Sequence, residues 1–130
     1  MSILSITRKI LWEGTTIGAG ATLTSATVDL NHVDMIEALA LKVSSVAGTA
    51  DVRVEFQTSH DAVNWDSSDD NPDIIASTLT AKTNNPEGWN GYPMPAPLSR
   101  YLRILIDEIS GGGLADTLVE AALICREGLS

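Results

Sequence analysis

"VRVEFQTSHDAVNW", Val52 to Trp65, decides how the chain is read. In its first half Val52, Val54 and Phe56 fall on one side, while Arg53, Glu55 and Gln57 fall on the other. Successive side chains of an extended backbone point to opposite faces, so this alternation describes a strand of a sheet buried on one side. From Ser59 onward the residues are Ser, His, Asp and Asn, the vocabulary of turns, closed by Trp65. The segment is a strand that runs into a hairpin turn.

The same period of two recurs along the chain, and helical periodicity is almost absent. Strands are expected over 2–12, 21–30, 36–46, 51–59, 73–79, 99–107 and 116–126, with an eighth short piece near "GWNGYP". In the sixth, Leu102, Ile104 and Ile106 repeat the apolar face. "AGT" (47–49) and "SGGGLA" (110–115) are short enough to join antiparallel neighbours. Between Asp61 and Pro97, Asp, Asn, Pro and Gly replace β-branched residues, which predicts long excursions at one end of the scaffold. The expectation is an all-β, antiparallel, jelly-roll-like β-sandwich of about seven or eight strands, in a single domain over 1–130. Residues 1–12 form either its first strand or an N-terminal arm.

A chain of 130 residues can bury a real core without staples. The single cysteine, Cys125, excludes an intramolecular disulfide framework and suits a reducing compartment. Arg8 and Lys9 sit within an alternating stretch rather than before an apolar signal region, and no apolar run is long enough to span a bilayer. The net charge of −9, with scattered basic residues, argues against nucleic acid as a partner.

Ser59, His60 and Asp61 are the residue types of a hydrolase triad, but on an extended backbone His60 faces away from both neighbours. His32, in "LNHVD", reads as a turn residue. "DSSDDNPD" places Asp66, Asp69, Asp70 and Asp73 in one loop, a weak calcium candidate that lacks the EF-hand spacing; a solvated acidic turn is the preferred reading. "GTTIGAG" leads into a strand, so it is no phosphate loop. Cys125 alternates with Val119, Ala121 and Leu123 and reads as a small buried hydrophobe. Nothing here requires a cofactor, and no nucleophile, base and orienting group can be placed together. An enzyme is therefore not expected.

The run "VEFQTSHDAVNW" resembles a hydrophobic strand followed by Ser-x-Asp-Gly-x-x-Trp, matched at Ser59, Asp61, Asn64 and Trp65, with Ala62 where glycine is usual. This motif is found in discoidin-like or galactose-binding-like jelly rolls and in small structural proteins of tailed bacteriophage virions. "SRYLRILID" and "ADTLVEAALIC" also resemble the closing strands of the discoidin-like group. The phage resemblance implies a capsid decoration or cement protein, made in the host cytoplasm and located in the virion. It implies a homo-oligomer, a trimer for example, docked on a major capsid protein or another virion protein. The discoidin resemblance implies a glycan-binding module instead. For either, Asp61 is expected to organise the turn and Trp65 to fold back over the strand pair. Trp65 and Trp89 are candidates to plug the sandwich, anchor an interface or stack on a sugar. Ile3, Leu4, Ile6, Ile10, Leu11 and Trp12 give the first segment more apolar surface than water tolerates, which makes it a candidate contact.

Overall fold

The fold, taken from a computed structural model, is described for residues 3–18, 20–45, 51–68, 71, 74, 79–80, 89–94, 99–109 and 117–129. The strands are β1 (Ile3–Ile17), β2 (Thr22–Thr24), β3 (Val28–Asp29), β4 (Val33–Ser45), β5 (Asp51–Ser59), β6 (Leu79–Thr80), β7 (Asn90–Tyr92), β8 (Tyr101–Glu108) and β9 (Thr117–Leu129). Among the described residues there is no α-helix. Sheet A has the order β1-β9-β4-β7, and sheet B the order β2-β8-β5-β6, with β3 also paired to β8.

Every pairing is antiparallel, and the pairs are nested: β1 with β9, β2 and β3 with β8, β4 with β7, β5 with β6. The chain is thus one long antiparallel ribbon, wrapped until β4 meets β9 and β5 meets β8. That is the jelly roll. The two inner faces meet in one core. Sheet A contributes Leu39, Leu41, Val43, Val119, Leu123 and Cys125, and sheet B contributes Val52, Val54, Phe56, Leu102, Ile104 and Ile106. These are the residues that period-two alternation places inward.

The elements depart from expectation chiefly in the first two expected strands, while β4 starts earlier, at Val33, and β9 runs on to Leu129. The first strand does not stop at Trp12; it continues to Ile17 through two bulges, at Leu11 and Gly14. Gly14 adopts φ 81°, a left-handed conformation that side chains resist. The strand expected over 21–30 is split. Thr24 faces Leu105 and Val28 faces Leu102, so three residues oppose two. Ser25 bridges the gap: its N–H donates to the Ile104 carbonyl, and its hydroxyl oxygen accepts the Ile104 N–H, both at 2.9 Å. Of the strand expected over 73–79, the described residues show strand at Leu79, within β6 (Leu79–Thr80). Ile74 is buried in the core at a bend, and residues 73 and 75–78 lie outside the described set.

The Leu11 bulge has the largest consequence. Before it, Ile6, Arg8 and Ile10 point outward, opposite Arg126, Ile124 and Ala122. After it, Trp12 stands opposite Ala121 and enters the core, only 8% exposed. One extra residue inverts the face.

Candidate functional site

The hairpin turn after β5 is held by its own polar groups. The Asp61 carboxylate accepts the N–H of Val63 at 2.9 Å and of Asn64 at 2.8 Å through one oxygen, and the Asn64 side-chain amide at 2.9 Å through the other. These donors, first among them the Asn64 backbone N–H, keep its carboxyl well below the usual range. The Ser59 hydroxyl accepts the Ala62 N–H at 2.9 Å and lies 2.6 Å from the Asn64 carbonyl. The left-handed position of the turn falls at Ala62, φ 62°, where the resembling motif carries glycine. His60 is exposed and meets Ser99 at 3.5 Å, so it does not link Ser59 to Asp61. The triad types form a turn.

Asp66 has a second structural task. Among the described residues β6 pairs with Asp51 and Val52, and no strand pairs with the rest of β5 on that side. The Asp66 N–H donates to the Thr58 carbonyl at 3.1 Å, while its carboxylate accepts the Thr58 N–H and hydroxyl, each at 2.8 Å. Asn71 then donates to the Phe56 carbonyl at 3.3 Å and to Asp66 at 3.1 Å. Side chains cap this part of the β5 edge. Burial opposes the charge on Asp66, but the donors from Thr58 and Asn71 outweigh it and hold the carboxyl below its ordinary value. Of the four weak calcium candidates, Asp66 is therefore occupied as an edge cap. Asp69, Asp70 and Asp73 lie outside the described residues.

The tryptophans divide three ways. Trp65 folds back over the outer face of sheet B, where the Arg103 guanidinium sits 4.2 Å from its ring centre and Gln57 accepts from Arg103 at 2.7 Å. Trp12, expected at an interface, is core because of the Leu11 bulge. Trp89 stays 46% exposed beside β7, and the Arg8 guanidinium from the opposite edge of sheet A stacks 4.5 Å from its ring centre. The register explains how they meet. Ile10, Ala122, Ala40 and Gly91 form one row across the outer face, and its three small members leave room for long side chains to cross. Ala122 faces outward and is nevertheless fully buried beneath that cover.

Around this stack the outer face of sheet A combines the ion pairs Lys42–Glu120 and Arg126–Glu37 with exposed apolar side chains. Ile6 is 63% exposed, Ile10 56% and Met35 56%, with Leu118 also exposed. Among the described residues no large exposed apolar side chain lies on a strand of sheet B. Ile6 and Trp89, named from sequence as contact residues, thus share one face; Ile3 and Leu4 pair with Leu129 and Gly128 at the start of β1, and their side chains lie outside the described set. Sequence reasoning missed Met35. Its signal was the bulges in β4 at positions 33–35 and 36–38, which alternation does not reveal.

At the end of the sandwich that carries the Asp61 turn, a hollow of about 590 Å³ opens between Leu30, Val33, Ile36 and Met94, with Asp34 and Arg100 among its polar lining. Arg100 is held by Asp29 through two bonds of 3.0 and 2.9 Å, and this pairing lowers the Asp29 carboxyl to about 2. Cys125 is fully buried, and burial pushes its thiol up. Among the described residues no three of His, Cys, Asp or Glu gather as a metal site. No protein-family model matches the sequence, and no curated protein is significantly similar to it.

Proposed function

We propose that the protein is a non-enzymatic structural component of a tailed-phage virion, a capsid decoration protein that docks through the outer face of sheet A. The observation that carries the reading is the exposure of Ile6, Ile10, Met35 and Trp89 on that one face. A sheet face turned to water is ordinarily polar, and clustered apolar exposure marks a surface made to be covered. The turn motif at Ser59, Asp61, Asn64 and Trp65, shared in pattern with small virion proteins, directs the choice of partner. The glycan-binding reading has less support, since Trp65 and Trp89, the aromatics a sugar would stack on, each carry a guanidinium on a ring face.

The test is co-sedimentation with virus particles that lack the protein. The full chain is expected to bind, a Met35→Lys, Trp89→Ala variant to lose binding, and Arg53→Ala, on the outer face of sheet B, to keep it. Particles that bind neither form, or bind the double variant at full occupancy, overturn the reading.

A further inference from the structure

We propose that two copies of this chain pair antiparallel through the open edge of β1, residues 6–10, about a two-fold axis beside Arg8. The inference names the self-partner of the assembling face, and it rests on the geometry of the edge rather than on the virion reading.

Among the described residues β1 pairs only with β9, so the other edge of a fifteen-residue strand presents its N–H and C=O groups to solvent. Such an edge is a template for another strand, and proteins that avoid pairing shorten, charge or bulge it. Here both bulges lie beyond Ile10, and residues 3–10 form a regular ladder with β9. An axis beside Arg8 sets residues 6–10 of one copy against 10–6 of the other, all within that ladder.

What selects a second copy is the placement of side chains. Ile6 and Ile10 are equidistant from Arg8 and point to the same outer face. Rotation about an axis beside Arg8 sets Ile6 of one copy against Ile10 of the other, twice over. Cross-strand apolar pairs of this kind are the unit that stabilises a sheet. The two Arg8 side chains at the axis do not oppose each other, because each leans away over its own sheet onto Trp89. Charge agrees as well. In a chain of net charge −9, residues 3–10 hold Arg8 and Lys9 and no acidic residue, so the approach does not bring acidic surfaces together. Lys9 points inward to Glu127 at 2.8 Å and leaves the seam clear. The pairing closes at two copies, a different symmetry from the trimer expected from the resemblance, and it merges two apolar outer faces into one surface.

The experiment is sedimentation of the full chain across a dilution series, without virus particles. The expected result is a mass twice that of the monomer, halved in Ile6→Lys, Ile10→Lys with the circular dichroism spectrum unchanged, since both side chains are exposed. Geometry is read by cross-linking. Arg8→Cys in a Cys125→Ala background should form a disulfide-linked dimer on oxidation, because facing positions across an antiparallel pair lie roughly 4.5–5.5 Å apart at Cβ. Thr16→Cys, past both bulges, should not. A monomer at every concentration, a trimer, a dimer that survives the two lysines, or equal cross-linking from Thr16→Cys each overturns the proposal. Failure of the particle-binding test with a dimer still present would overturn the virion reading alone.

Discussion

Sheets A and B are built from the same nested ribbon, yet they treat their edges and outer faces in opposite ways. In sheet B the outer edge is cut into β2 and β3 by the Ser25 bulge, and the open part of β5 is capped by Asp66 and Asn71. Its outer face carries Arg53, Gln57, Arg103 and Asp107, with Trp65 folded down beneath a guanidinium. In sheet A the β1 edge is long and regular through Ile10, and Ile6, Ile10 and Met35 stand in water. Closure costs sequence: a serine, an asparagine and an aspartate must be placed to satisfy backbone groups. The docking face and the pairing edge proposed above both belong to the sheet that is left open.

The comparison assumes that one core serves both sheets, and the largest expected effect tests this. Phe56→Ala removes the biggest side chain that sheet B inserts between the layers and should cost about 3 to 5 kcal/mol. Denaturant titration followed by tryptophan fluorescence and by circular dichroism should give one shared, shifted transition. Two separate transitions would mean that the sheets fold as independent layers.

The sealing of sheet B is tested by Asp66→Ala. The variant leaves the buried Thr58 N–H without its acceptor, for an expected loss of about 1 to 3 kcal/mol. Amide exchange should rise at Thr58 and Phe56 before it rises in β9. The same device has a pH signature. Asp29, Asp61 and Asp66 all have folded values below their unfolded ones, so their contribution is full above the ordinary carboxylate range and fades as pH falls through the folded values. For Asp29 that window runs from its ordinary value of 3.8 down to about 2. Glu55 works against this trend, because burial first and then its hydrogen bond with Asp107 raise it, so the folded state takes up its proton more readily and is favoured by acid. An acid titration by thermal melting should show a net fall in the midpoint over that range, smaller in Asp29→Asn.

Two left-handed positions separate a bulge that shapes the open edge from a turn that decorates the closed sheet. Gly14→Ala forces a side chain into φ 81° and should lose about 1 to 2 kcal/mol by thermal melting. Ala62→Gly relieves the same conflict in the turn and should gain at most about 1 kcal/mol, the entropy of glycine opposing it. A loss there would mean the turn relies on the Ala62 methyl.

Legibility followed the same division. Where a strand keeps alternation, as in β5, β8 and β9, its buried face can be read residue by residue, because a period of two admits only two assignments, while its ends shift by one to three residues in β8 and β9. The jelly-roll order emerges only when distant strands pair, and no local pattern encodes that. Bulges were the main loss: Leu11 and Gly14 reverse the faces of β1, so Trp12 reads as surface and lies in the core. The role of Asp61 was legible because an aspartate two and three residues before turn N–H groups is a local device. That of Asp66 was hidden, since its partner Thr58 belongs to the strand behind it and is reached only after the turn closes.

The claim that sheet A is the open side is tested most directly by amide hydrogen exchange of the full chain at high and low concentration, comparing the two edges. The account predicts that residues 6–10 gain protection with concentration while Thr22–Thr24 of β2 do not change. Concentration-independent exchange at both edges, or protection gained at β2 instead, would contradict it.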